Sequence, residues 1–203
     1  MILSYILKFI QRISISSLIL ILCYCNINSK KPKKEFFLNH TIYFDEGIEN
    51  KQEVLSFINS IKTKDCTNFH KLIKHDYVYN VQDASYLFFF DQDNNFYLDT
   101  DKTISICDFL FEEKVYFNVI KTYEENLYNT YNVYTLTQIM QNTEEIIVHL
   151  HLDTNTKKTE MSITLYPSKE IMKYPIISML FICESKSFST CYLRESNTDM
   201  IHK

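Results

Sequence analysis

The chain is almost without glycine. One Gly (Gly47), one Ala (Ala84), three Pro and no Trp occur in 203 residues. Phosphate-cradling loops need backbone positions that carry no side chain, so neither a P-loop nor a dinucleotide fingerprint can be written with a single glycine. The same shortage excludes a G-x-S-x-G nucleophile elbow. There is no C-x-x-C, which removes the zinc-ribbon and thioredoxin-like signatures, and no H-E-x-x-H. Positive charge is not in excess either: the net charge is −4, and −6 once Lys8 and Arg12 are set aside. A chain of that sign lacks the electrostatic footprint of a general nucleic-acid binder.

What is present is apolar and aromatic. Hydrophobic residues make up 46% of the chain, with 15 Phe and 15 Tyr. That is enough for one domain with a sizeable core and argues against general disorder. Ile, Asn and Lys are also abundant, so the aromatic richness reads as compositional bias rather than a ligand-stacking device.

Residues 1–22 read as a signal peptide. Lys8 and Arg12 supply the positive flank, and Ile13 to Leu22 is apolar or small, centred on LILIL at 18–22. The run is shorter than the roughly 20 apolar residues a spanning helix needs. A polar segment, NINSKKPKK, follows at once, with Pro32 blocking a regular helix. Residues 23–35 are therefore expected to be a lysine-rich tether whose cations favour anionic head groups. Leu20-Ile21-Leu22-Cys23 resembles the lipobox of bacterial lipoproteins, departing from it at Leu22, where a small residue is expected. The resemblance implies acylation of Cys23, with Cys25 as the alternative, and anchorage at the cell envelope through the N-terminal lipid. A secreted protein and an uncleaved signal-anchor remain open alternatives.

The remaining residues, 36–203, are expected to form one α+β domain. Phe36–Phe44 reads as a short strand or packed arm. Val54, Leu55, Phe57, Ile58 and Ile61 recur at helical spacing, and Asp65 or Thr67 is placed to cap a second helix through Phe69, Leu72 and Ile73. Strands are expected at Tyr77–Val81, Tyr86–Phe90 and Asn95–Leu98, then a third helix over Ile104–Phe111. Beyond it the pattern turns to strands: Lys114–Tyr123, Tyr131–Met140, Ile146–Leu152, Met161–Tyr166, Ile176–Cys183, and a last edge at Cys191–Arg194. In the 146–166 hairpin, pairing Leu152 with Met161 brings Leu150 opposite Ile163 and Val148 opposite Leu165, all on one face.

The stretch VLSFINSIKTKDCTNFHKLIKHDYVY, with its Lys64-Asp65 step and later Asp76, resembles the opening of NTF2-like (SnoaL-like) domains. The resemblance implies an α+β cone, with Tyr77, Tyr79 and His149 among the side chains that could line its pocket. Read from the residues alone, the fold is an antiparallel strand meander with two or three helices on one face.

Four cysteines lie beyond the leader, an even number that an exported chain can pair. If residues 184–190 turn the chain, Cys183 faces Cys191 and Phe181 meets Leu193, so a Cys183–Cys191 disulfide is expected; nothing in the sequence fixes the separation of Cys66 and Cys107, and no pairing is assigned to them. His149 and His151 share one side of a strand but have no identifiable third ligand, so no metal site is assigned. DQDNNFYLDTD has the first three acidic or amide positions of a calcium loop. It has Phe96 where the loop needs Gly and Lys102 where it needs Glu, so it reads as a solvated turn. No residue is assigned as catalytic and no cofactor is implied. The expectation is an exported, lipid-anchored, non-catalytic binding domain with the membrane and an unknown protein or small molecule as partners. A small-molecule-binding or enzymatic NTF2-like cone is the rival.

Overall fold

The computed structural model describes residues 33–73, 76–91, 95–98, 104–152, 158–168, 174–199 and 201–202. The leader, Cys23 and Cys25, His75, and most of the acidic segment 91–101 lie outside them.

The domain is α+β. Two strands open it, β1 (Lys33–Phe37) and β2 (His40–Phe44), followed by helices α1 (Lys51–Thr63) and α2 (Cys66–His70). Then come β3 (Tyr77–Val81), β4 (Ala84–Phe90) and β5 (Phe96–Leu98). A helical stretch follows: α3 (Ile106–Phe111), α4 (Glu113–Tyr123), α5 (Glu125–Thr130), the short β6 (Tyr131–Asn132) and α6 (Leu136–Gln141). The chain ends in β7 (Thr143–Leu152), β8 (Thr159–Pro167), β9 (Ile176–Cys183), β10 (Cys191–Asp199) and β11 (Ile201–His202).

Among the described residues nine strands form one sheet in the order β1-β2-β7-β8-β9-β10-β3-β4-β5. The expected antiparallel meander is there as β7 to β10, but it is only the middle. The β1–β2 hairpin joins one side of it through a parallel β2–β7 pairing, and the β3-β4-β5 unit joins the other through a parallel β10–β3 pairing. Parallel neighbours need long connections, and here each runs through both helices and other strands of the sheet. Hydrophobic alternation identifies a strand but not its neighbour, so mixed pairing was not readable from the pattern.

Several elements differ from expectation. Phe36–Phe44 is not one strand but a hairpin, turned at Leu38 and Asn39 with φ of 51° and 70°, the double positive φ of a tight primed turn. Its first strand takes in Lys33 to Glu35, so the domain starts inside the segment assigned to the tether. Lys114–Tyr123 is a helix. Tyr116, Val119 and Ile120 are its buried residues, at the i, i+3, i+4 spacing that favours a helix over a strand. Of Tyr131–Met140 only Tyr131–Asn132 is a strand, and Leu136–Gln141 is a helix, started by a capping box in which Thr135 Oγ1 accepts from Gln138 N and the Gln138 side chain reaches back to Thr135 N.

The β7–β8 register lies two residues from the expected one: Leu150 pairs with Met161, Val148 with Ile163 and Ile146 with Leu165. Because side chains alternate with period two, a two-residue slip leaves every residue on its expected face. Ile146, Val148, Met161, Ile163 and Leu165 are all fully buried.

Cys191–Arg194 is the start of a nine-residue strand at the middle of the sheet, not an edge. Leu193 pairs with Phe181 and Glu195 with Leu180, leaving Arg194 as a bulge. The bulge resets the alternation, so Ser196 and Thr198 turn inward and are buried. Tyr77 donates its hydroxyl hydrogen to Ser196 Oγ at 2.7 Å, and Thr198 donates to Tyr79 at 3.2 Å.

Helices pack on the face that carries these residues. Phe57 of α1 meets Phe181 of β9 edge-on at 5.2 Å, and Phe69 of α2 meets Phe111 of α3. Phe109 of α3 lies among Tyr79, Tyr86, Phe88 and Tyr116. Among the described residues no helix is long and apolar enough to cross a membrane.

With one glycine available, which sits at φ 88°, five other residues among the described ones take left-handed backbone: Leu38, Asn39, Asn50, Lys64 and Gln82. Lys64 ends α1 in a Schellman arrangement, its own N–H bonding Ile61 O while Asp65 N–H bonds Ser60 O. Asp65 then caps α2 by accepting from Asn68 N. The left-handed region costs a side-chain-bearing residue about 1–2 kcal/mol, partly offset by the extra freedom glycine has when unfolded. Lys64→Gly is therefore expected to raise stability by about 0.5–1 kcal/mol in urea denaturation; a lower midpoint would contradict this account of the step.

Candidate functional site

The strongest side-chain cluster with chemical potential joins α2 to α3. Asp65 and Ser105 cap the two helices and so fix where each begins: Asp65 accepts from Asn68 N at 3.2 Å, and Ser105 Oγ from Asp108 N at 3.1 Å. Cys66 is the first residue of α2, and His70, one turn later, is the last. Four residues along a helix is one turn, so both side chains share a face. Cys107, the second residue of α3, meets them there. Cys66 and Cys107 lie at disulfide distance with Cα atoms 6.0 Å apart, and His70 Nε2 is 3.3 Å from Cys107 Sγ. All three are half-buried, and the His70 ring stands edge-on to Phe96 at 6.2 Å. Burial lowers the His70 pKa from its ordinary 6.5, which favours the neutral imidazole.

The sequence gives no pattern for this group. Cys66 and Cys107 are 41 residues apart and come from different helices. The Cys66-x-x-x-His70 spacing was the one available signal, and it is too short to mean anything without the third member.

Cys183 and Cys191 lie opposite one another at disulfide distance, with Cα atoms 3.9 Å apart, and Phe181 pairs with Leu193. Both cysteines are buried. The turn between them is tied to α1, since Glu53 Oε2 accepts from Ser189 N at 2.8 Å and Asn50 Nδ2 donates to Ser187 Oγ at 2.9 Å. This pair is a staple in the core, away from solvent chemistry.

Among the described residues His149 and His151 join no group of metal-ligating side chains. His149 Nδ1 lies 3.1 Å from Asp45 Oδ2, which also accepts from Leu150 N. Tyr77 and Tyr79 are fully buried and bonded inside the core rather than lining a pocket. Asp91 Oδ1 accepts from Asn95 N at 2.7 Å, and the residues between them lie outside the described ones.

A second feature is a cleft of about 310 Å³ beside the end of the sheet, lined by Ser85, Tyr86, Leu87, Phe89, Leu98, Tyr123 and Glu124. Leu87, Phe89 and Tyr123 are 38%, 40% and 44% exposed, which makes this the largest grouping of exposed apolar side chains among the described residues. Tyr86 is buried and its hydroxyl has no hydrogen-bond partner. Burial, then the Glu124 charge and Tyr79, push its pKa well up. Alternation along β4 placed Leu87 and Phe89 on one side and Tyr86 and Phe88 on the other, but which side meets solvent depended on the helices.

Two expectations follow. An unpaired buried hydroxyl costs about 1–3 kcal/mol, so Tyr86→Phe should leave stability unchanged or raise it, whereas Tyr79→Phe, which removes the acceptor used by Thr198, should lower it. Chemical denaturation of both variants distinguishes them, and a loss for Tyr86→Phe equal to that for Tyr79→Phe would be the wrong sign. The second concerns pH. His40 is buried on β2, with Nδ1 2.9 Å from Thr143 O and Nε2 unpaired. Burial lowers its pKa from 6.5, the Thr143 carbonyl opposes this and the Lys62 charge adds to it. Above pH 6.5 both folded and unfolded states hold it neutral. Below that the unfolded chain takes up the proton first, so stability falls as pH drops toward the folded value. Melting temperatures should decline from pH 7 to 5, with a shallower decline in His40→Gln; an equal slope would remove His40 as a cause.

No known protein family model matches this chain, and no curated protein is significantly similar to it.

Proposed function

We propose that this is an exported domain, held at a membrane through its N-terminus, that binds a partner rather than catalysing a reaction. The observation that carries this is the cysteine usage of the domain. All four of its cysteines, Cys66, Cys107, Cys183 and Cys191, stand in pairs at disulfide distance. Paired cysteines persist in oxidising compartments and are rare in reducing ones. The apolar run before Cys23 and the lysines after it supply a leader and a tether for such a route.

The cleft bordered by Leu87, Phe89 and Tyr123 is the surface that suits a partner, which would insert an apolar side chain among them. Exposed apolar groupings of that kind mark contact sites more often than isolated exposed residues do. A small-molecule-binding NTF2-like cone is the second reading. The Schellman end at Lys64 followed by the Asp65 cap favours it. Against it, Tyr77, Tyr79, Tyr116 and Phe109 fill the space beneath the helices.

Metabolic labelling with a fatty-acid analogue tests the anchor. Label is expected on the wild type and on Cys25→Ser, and to be lost in Cys23→Ser. Label that survives the double Cys23→Ser/Cys25→Ser change would overturn the lipid anchor. An unlabelled wild type that keeps its first residues by mass spectrometry would replace it with an uncleaved one. Alkylation before reduction should leave all four domain cysteines unmodified, and free thiols at both pairs would overturn the exported reading.

A further inference from the structure

The two cysteine pairs differ in a way that bears on chemistry. Cys183 and Cys191 are 3% and 0% exposed, and no third metal-binding side chain joins them among the described residues. Cys66 and Cys107 are half-buried, and His70 completes a group of three whose ligand atoms all lie within 4.8 Å of one another. We infer that Cys66, His70 and Cys107 form a redox-gated site for a soft divalent cation such as zinc: closed when the cysteines are joined, open when they are reduced.

The geometry and the donor chemistry agree. In a tetrahedral zinc site, ligand bonds of about 2.0–2.3 Å place neighbouring donor atoms roughly 3.3–3.8 Å apart. His70 Nε2 already stands 3.3 Å from Cys107 Sγ. Cys66 and His70 come from one turn of one helix, and the helix caps at Asp65 and Ser105 hold both helix starts in place. Two thiolates and a neutral imidazole are the donor set that selects zinc over calcium or magnesium. Three protein donors leave a fourth position for water, and the half-buried setting gives an ion a way in. The packing of His70 against Phe96 limits how far its ring can swing.

The two states are exclusive and the exchange balances. A dithiol reductant attacks the Cys66–Cys107 bond, is itself oxidised to a disulfide, and leaves both cysteines as thiols. The cation then binds as the two thiol protons are released, so binding weakens as pH falls. A joined pair offers no thiolate, so the oxidised protein has no site.

Cobalt(II) is a direct probe, because thiolate–cobalt charge transfer is visible in absorption. The experiment uses the full chain in a Cys23→Ser/Cys25→Ser background, so that the leader thiols cannot contribute, reduced with a phosphine that does not compete for metal. One equivalent of cobalt should bind with charge-transfer and tetrahedral d–d bands, and zinc should displace it. The oxidised protein should show neither. Cys107→Ser should lose the bands, while Cys183→Ser/Cys191→Ser should keep them. His70→Ala retains both thiols and should bind on the order of tenfold more weakly or worse, given that even outer ligand-shell changes cost that much. Circular dichroism on each variant separates loss of ligand from loss of fold. Bands that persist in Cys107→Ser, unchanged affinity in folded His70→Ala, or no cobalt in the reduced parent would each overturn the site.

Discussion

The parallel pairing of β10 with β3 holds the two parts of the sheet together, and two hydroxyl bonds in the core accompany its backbone ladder. Tyr77 and Tyr79 bring phenol groups into an apolar interior, where an unpaired hydroxyl is expensive. Ser196 and Thr198 satisfy them, and they can do so only because the Arg194 bulge turns that half of β10 over. Without the bulge, Glu195 and Asn197 would face the helices instead. The register of the strand, the burial of the tyrosines and the junction between the meander and the β3-β4-β5 unit are therefore one arrangement. Tyr79 extends it to α4 through its contact with the Tyr116 hydroxyl at 3.5 Å.

Around that polar thread the core is aromatic. Phe57, Phe69, Phe181 and Phe188 form one group under α1 and α2, and Phe88, Phe109, Tyr79 and Tyr116 form another under α3 and α4. Large rings fill volume that smaller aliphatic side chains would fill elsewhere, which suits a chain with a single alanine. The glycine shortage is felt at the turns rather than in the core. Asn39 and Asn50 take left-handed backbone with little penalty, but Leu38, Lys64 and Gln82 adopt it too. Each such residue is held there by the elements on either side of it.

Legibility followed the length and purity of the pattern. Helix α1, with five apolar positions at helical spacing, was plain, as was the facing of Cys183 and Cys191 across their turn. Helix α4 was not, because its Val, Tyr and Phe content resembles a strand and only the burial of Tyr116, Val119 and Ile120 separates the two periods. The second half of β10 was hidden for the opposite reason: its inward residues are Ser and Thr, so the alternation that marks a strand was missing from a strand at the centre of the sheet. The capping box at Thr135 and Gln138 was a readable signal that outweighed the β-branched residues near it.

The amino-acid sequence by itself determined the α+β class, the alternation of faces along the apolar strands β7 and β8, and the chemistries a chain with one glycine cannot build. Those properties depend on residue type and on periods of 2.0 and 3.6, which are local. Tertiary structure alone decided the mixed strand order, the central place of β10, and the meeting of Cys66 and His70 with Cys107. Those depend on which distant segments lie side by side, and nothing in a local period carries that information.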